Sequence, residues 1–309
     1  MDPSATVLAH FTWTTAIYYL HSPRFSRRKL IHCADKQRFL NTKTYTWGLP
    51  QGAVLSTTLF ALYISDIPHP HNTHLALNAD DTALLVQSWR TDTVARRLTY
   101  AMDILHRYFT KWKLRVNVNK TEALLFTKRR PIATLLPQFQ HTMIPQRRNI
   151  RYLGLTLDPK LLFTKHLHTV THKATGVLLQ LFPLLSHDST LTIHNKLTLY
   201  KLMMCSLLTY AGPVWSNTSQ SNYRHIQILQ SKCIRVIGDY PRRTSIHYLH
   251  STLSLEYIHT FIYRLTEKYF QQFTTHSNPL VSHIGIYSVH ELLAKYRKYT
   301  HKRTQHLLL

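Results

Sequence analysis

Residues 75–87 read LALNADDTALLVQ. Two short apolar runs, 75–79 and 82–87, meet through Asp80 and Asp81. Such runs flanked by turn formers read as strands, so the acids fall at the tip of a tight β-hairpin. Successive side chains of an extended strand point to opposite faces. Two adjacent carboxylates can therefore serve one site only where a turn breaks that alternation. The 14 acidic residues of the chain are otherwise scattered, and this is their one adjacent pair. Two carboxylates in a positive surround can hold Mg²⁺, a hard cation that bridges carboxylates to phosphates. The pair also reads as an ordinary exposed Asp-Asp turn.

Upstream, GLPQG occupies 48–52, with Gly48 and Gly52 bracketing Pro50 in a turn. Gln51 offers a donor and an acceptor without charge, which suits contact with a base, sugar or template rather than proton transfer. The apolar spacing from Val54 to Ile64 predicts a helix that stops before Pro68. The His/Pro run at 69–74 reads as a solvated loop rather than a set of metal ligands. Val94, Leu98, Met102, Leu105 and Phe109 predict an amphipathic helix over 92–113. Strands are expected at 123–127 and 151–157, and short β-like runs at 28–47. Residues 1–27 read as an irregular lead followed by an aromatic helical piece ending near Pro23. Past about residue 165 the strand signal fades, and helices are expected near 166–184, 190–209, 220–237 and 255–273. Pro183, Pro213 and Pro241 are the expected breakers, with a domain boundary near 160–165.

The 309 residues carry 38 Lys+Arg against 14 Asp+Glu, a formal charge of +24 with histidines neutral. Hydrophobic residues make up 44%, too many for a disordered basic tail. Seven glycines argue against Gly-rich phosphate loops. Cys33, Cys205 and Cys233 are too few for a disulfide framework or zinc ribbon and read as buried small apolar residues. No run approaches the length of a membrane span, and no secretory signal is visible, so cytoplasm or nucleus is the expected location. The charge points to a polyanion, nucleic acid first. Compositional drift toward His, Lys, Arg and Thr is the bland alternative.

The ordered set GLPQGAVLSTTLFALYISDIP (48–68) and NADDTALLVQ (78–87) resembles the reverse transcriptases of non-LTR retrotransposons, particularly jockey-like elements. KWKLRVNVNKTEALLFTKRR (111–130), with Trp112, Asn119, Lys120 and Thr121, looks like the family's next block. IRYLGLTLDPKLLFTKH (150–166), LTYAGPVW (208–215) and LQSKCIRVIGDYPRRT (229–244) continue the likeness. The resemblance implies an α+β fold: a partial right-hand polymerase palm, an antiparallel sheet with helices, then an all-helical thumb-like region. The expected divisions are 1–47 residual fingers, 48–163 palm, 164–285 helical thumb and following region, and 286–309 basic tail. It further implies Mg²⁺ or Mn²⁺ at Asp80 and Asp81, two such ions activating the primer 3′-hydroxyl and clamping the triphosphate. Gly48, Pro50, Gln51 and Gly52 would lie near the template base and incoming nucleotide. Lys120 would lie near the triphosphate, or is an exposed lysine on a turn. Tyr152, Leu153 and Gly154 would grip the primer, although Tyr152 itself reads more readily as an ordinary palm-strand residue. The implied partners are an RNA template, a DNA primer and deoxynucleoside triphosphates.

The chain departs from the family in one chemically decisive respect. The family carries a third catalytic acid on a palm strand well before the Pro-Gln-Gly turn. Residues 1–47 hold only Asp2 and Asp35, neither after an apolar strand of the family's pattern. The first acid and its strand are therefore expected to be missing, leaving the Asp80-Asp81 hairpin facing an open side. Loss of one member of a cooperating catalytic set costs orders of magnitude in rate. The chain alone is expected not to polymerise DNA efficiently. The alternative is a non-enzymatic, basic nucleic-acid-binding remnant. Asn78 stands where the family has an aromatic, Ala53 replaces a frequent Ser, and no nuclease domain or zinc knuckle is visible. Trp112 and Trp215 read as packing anchors. Lys128, Arg129 and Arg130 read as a solvated loop or a phosphate contact.

Overall fold

The structure, a computed structural model, describes residues 5–14, 54–88, 90–127 and 137–282. It divides into two compact units, one running to Ile150 and the other starting at Arg151. The first unit is built on β1 (Ala5–Thr14), α1 (Val54–Tyr63), β2 (Thr73–Asn78), β3 (Asp81–Ser88), α2 (Thr91–Lys111), β4 (Arg115–Val116) and β5 (Glu122–Phe126). Its five-stranded sheet has the order β2-β3-β1-β4, with β5 also pairing β1, and every pairing is antiparallel.

Two expectations are corrected here. Residues 5–14 form a strand, not an irregular lead, and β3 does not face an open side. Strand β1 fills that side and runs between β3 and β5. The physical reason lies in both partners. ATVLAHFTWT is rich in β-branched and aromatic residues. The facing edges of β3 and β5 present backbone groups that need hydrogen-bond partners.

Helix α2 covers one face of this sheet. Val94, Leu98, Met102, Leu105 and Phe109, the stripe read from the sequence, are all buried. They pack with Leu84 and Val86 of β3 and Ala123 of β5. Trp112 closes the helix, with Tyr63 edge-on at 5.1 Å, and the Tyr63 hydroxyl donates to the Trp112 carbonyl. Helix α1 forms where its spacing predicts, yet none of its residues is buried and Val54 is 91% exposed. A small hairpin, β6 (Gln138–Phe139) and β7 (Thr142–Met143), escaped the sequence reading. Its turn residues Gln140 and His141 both have positive φ, 48° and 62°. It delivers Phe139 into the core under α2.

In the second unit β8 (Ile150–Tyr152) and β9 (Leu155–Leu157) form a two-stranded sheet, so 151–157 is a bent hairpin rather than one strand. The helices are α3 (Thr164–Leu185), α4 (Ile193–Leu199), α5 (Ser206–Leu208), α6 (Gly212–Trp215), α7 (Gln220–Gly238), α8 (Ile246–Thr252), α9 (Ile258–Thr274) and α10 (Pro279–Ser282). A π-helical stretch, Tyr200–Cys205, joins α4 to α5. The starts of α4, α7 and α8 are legible as hydroxyl N-caps: Thr192, Ser219 and Ser245 accept from the amides of Asn195, Asn222 and Tyr248. Pro183 is not a breaker, because it lies inside α3, two residues before its end. The amide it lacks would have bonded the carbonyl of Leu179, an exposed residue whose carbonyl water can satisfy. Pro213 sits in the first turn of α6, where a missing amide costs nothing. Asp158 organises the entry to α3, its carboxylate accepting from the amides of Lys160, Leu162 and Phe163 at 3.3, 3.0 and 2.7 Å.

Two buried imidazoles make the second unit acid-sensitive. The Nδ1–H of His250 donates to the Leu255 carbonyl at 2.9 Å, and Nε2 accepts from the Gln227 amide at 3.1 Å. His166 accepts at Nδ1 from the Thr156 amide at 3.4 Å, and its Nε2 is buried without a partner. Burial lowers both pKa values from the ordinary 6.5. The unfolded chain therefore takes up protons as pH falls through that ordinary value, while the folded chain resists. Stability is fully present above about pH 7 and falls toward pH 5. Urea midpoints followed by helical circular dichroism should be lower at pH 5 than at pH 7.5. Replacing both histidines with Gln should flatten that difference, and an unchanged difference would sink the assignment.

Candidate functional site

The hairpin that carries the two acids is a two-residue connection. Asn78 pairs with Asp81, and Ala79 and Asp80 make the turn. Ala79 takes a φ of 53°, a conformation that costs an L-residue roughly 1 kcal/mol relative to glycine. An apolar hollow lined by Phe60, Ile64, Ile67, Leu77, Ala79, Thr82 and Leu114 lies behind the turn. Asp80 is exposed at the tip, and Asp81, half-buried, opens β3.

Strand parity settles the direction of Asp81. Leu84 and Val86 face α2, so Asp81, of the opposite parity, lies on the other face of the sheet. The turn frees Asp80 from that alternation. Two adjacent carboxylates can thus approach one point in front of the hairpin. Mg²⁺ is commonly bound through one or two carboxylates plus substrate phosphates and water. The donor set at Asp80 and Asp81 fits one such ion.

A second ion sharing the site would need a bridging acid, and β1 does not carry one. Thr12 is the ladder partner of Asp81, and the strand ATVLAHFTWT contains no carboxylate. The wall expected to be missing is present, but without the acid. Glu122 shares the face of Asp81, since its neighbour Ala123 faces α2. It starts β5, on the far side of β1. With strands about 4.8 Å apart and a two-residue offset, its backbone is about 12 Å from that of Asp81. Its carboxylate is tied to Arg147 at 3.0 Å. Among the described residues no three His, Cys, Asp or Glu side chains gather as a metal-holding group.

Lys120 ends a 3₁₀ turn, Val118–Lys120, and is exposed. It lies two residues before Glu122, whose ladder partner is His10, while Thr12 is the partner of Asp81. The fold therefore brings Lys120 to the same end of the sheet as Asp80 and Asp81. Gly48, Pro50, Gln51 and Gly52 lie outside the described residues, as do Cys33, residues 128–130 and the basic tail.

Tyr152, Leu153 and Gly154 belong to the second unit. Leu153 and Gly154 form a two-residue turn with φ values of 45° and 80°. Positive φ at both central residues is the type I′ geometry that matches strand twist. The long helices α3 and α7 contain no acidic residue. Their exposed faces carry Lys165, Lys173, Arg224 and Lys232, with His168, His172 and His225 among them. No described helix is long and apolar enough to cross a membrane.

An antiparallel sheet bearing a two-acid turn, followed by helices with acid-free basic faces, is an architecture compatible with part of a template-directed polymerase. Residues 8–157 match the family described as reverse transcriptase (RNA-dependent DNA polymerase). That match begins inside β1 and ends with β9. The chain is 32% identical over 242 residues to the probable RNA-directed DNA polymerase from transposon BS of Drosophila melanogaster, covering 75% of this chain and 27% of that protein. It is 25% identical to the RNA-directed DNA polymerase from mobile element jockey of the same organism, over 88% of this chain and 30% of the relative. Against the probable polymerase from transposon X-element the identity is 29%, over 76% of this chain and 26% of the relative. These matches support a non-LTR retrotransposon reverse transcriptase. The chain spans a little over a quarter of the length of these curated relatives. No solved structure gives a significant match.

The sequence reading missed three features of the sites: the ion pair of Glu122, the cap formed by Asp158, and the contacts of Tyr210 described below. Only the second left a local signal, an Asp-Pro turn immediately before a helix.

Proposed function

We propose that the chain is the palm and thumb portion of an RNA-directed DNA polymerase. In this reading it binds a DNA primer on an RNA template and holds one divalent ion at Asp80 and Asp81, but does not polymerise efficiently by itself. The observation that carries this is the pairing of the two-acid turn with a central strand that bears no acid. When bound, the ion supplies charge neutralisation for phosphoryl oxygens. Asp80 and Asp81 would orient it, and Lys120, at the same end of the sheet, would meet phosphate charge. Gln51 and the 48–52 turn would contact the template base and incoming deoxynucleoside triphosphate. The Tyr152–Gly154 turn would hold the primer end. Lys165, Lys173, Arg224 and Lys232 would track the duplex backbone. Such partners place the protein in cytoplasm or nucleus.

Two measurements test this. Primer–template affinity should fall with salt, because displaced counterions drive binding. Four phosphate contacts correspond to a loss of about 100-fold between 50 and 200 mM salt. An affinity independent of salt would refute backbone tracking. Primer extension should be negligible for the chain alone and appear when a full-length relative's preceding segment is supplied and its acid-bearing strand displaces β1 from between β3 and β5. Efficient extension without it would overturn the proposed inactivity. Binding without extension under both conditions would favour the non-enzymatic reading, which the acid-free β1 also supports.

A further inference from the structure

The Leu153–Gly154 turn is held from outside its own hairpin. The Tyr210 hydroxyl donates to the Leu153 carbonyl at 3.0 Å. The Tyr210 ring lies against Gly154 so closely that a Cβ there would stand 3.0 Å from its Cε1. With φ at 80°, Gly154 is thus constrained twice, by backbone conformation and by the ring. Tyr210 is itself fixed, since the buried Trp215 indole donates to its carbonyl at 2.9 Å. Two segments 57 residues apart, YLG and LTYAGPVW, meet in this contact. Leu153 and Tyr210 are 39% and 52% exposed, so the assembly sits at the surface, where a ligand can reach it.

We infer that Tyr210 is a positioning residue for the primer terminus, acting as a strut that sets the height and tilt of the Tyr152–Gly154 turn. The inference rests on the reading of that turn as the primer-holding element. A surface turn of two positive-φ residues is prone to alternative conformations. Tyr210 restrains both of its central residues, one by a hydrogen bond and the other by packing. The strut matters for where the terminal nucleotide is placed and not for how tightly the duplex is held, because duplex affinity comes from phosphate contacts spread along the helices.

The test uses the 309-residue chain with a DNA primer annealed to an RNA template. 2-Aminopurine at the primer 3′ end reports engagement of the terminus, and anisotropy of a distant dye reports overall binding. Tyr210→Phe removes one hydroxyl from a half-exposed side chain, and its thermal unfolding should match the wild type. Terminal engagement should fall about five-fold, the net worth of one hydrogen bond, with duplex affinity unchanged. Equal terminal signals in wild type and Tyr210→Phe would overturn the strut while leaving the grip reading standing. A parallel loss of both signals would overturn it as general weakening. A wild type that binds duplex with no terminal response would refute the grip reading itself, and the strut with it.

Discussion

Changing Asp80 and Asp81 together to Asn is expected to abolish Mn²⁺ binding measured by calorimetry. The attraction between a doubly charged ion and one carboxylate oxygen at about 2.1 Å is about 4 kcal/mol even with water's dielectric constant. Desolvation offsets much of this, so the wild-type affinity is weak. Loss of both charges nevertheless lowers it at least about 100-fold, below detection. Asn is nearly isosteric with Asp and favours turns. The hairpin should therefore survive, and unchanged circular dichroism would separate lost binding from lost fold. Each single substitution should weaken binding less than the pair. Identical heats for wild type and double variant would mean that the turn holds no ion.

The second large effect is on stability. Trp215 is fully buried in the second unit, near Tyr223 at 6.2 Å between ring centroids. Trp215→Ala is expected to cost about 3–5 kcal/mol, a large share of a domain's usual 5–15. The cavity is one part of this, and the carbonyl of Tyr210 losing its indole donor is another. The urea midpoint from helical circular dichroism should drop sharply, and Trp215→Phe should fall between. A shift below about 1 kcal/mol would mean that the site collapses around the smaller side chain.

Several elements were readable because their causes are local. The hairpin around Asp80 follows from two apolar runs and the residues between them, and α2 from a stripe of five apolar residues. The hydroxyl caps of α4, α7 and α8 stand three residues before the amides they receive, a local signal the sequence reading left unused, and α8 itself was not expected. Pro183 misled because a proline near a helix end looks the same in sequence whether it stops the helix or sits in its last turn. The β6–β7 turn was invisible because Gln140 and His141 adopt positive φ without glycine, so no turn residue announced it.

The adjacency of the two acids and their place on a hairpin were determined by sequence alone, because residue type and strand alternation act over a few positions. That Asp81 faces away from α2, that an acid-free β1 lies beside it, and that Tyr210 braces Leu153 and Gly154 were decided only by tertiary structure. These contacts join residues dozens of positions apart, and each forms only once strand edges and packed faces have found partners that no local pattern specifies.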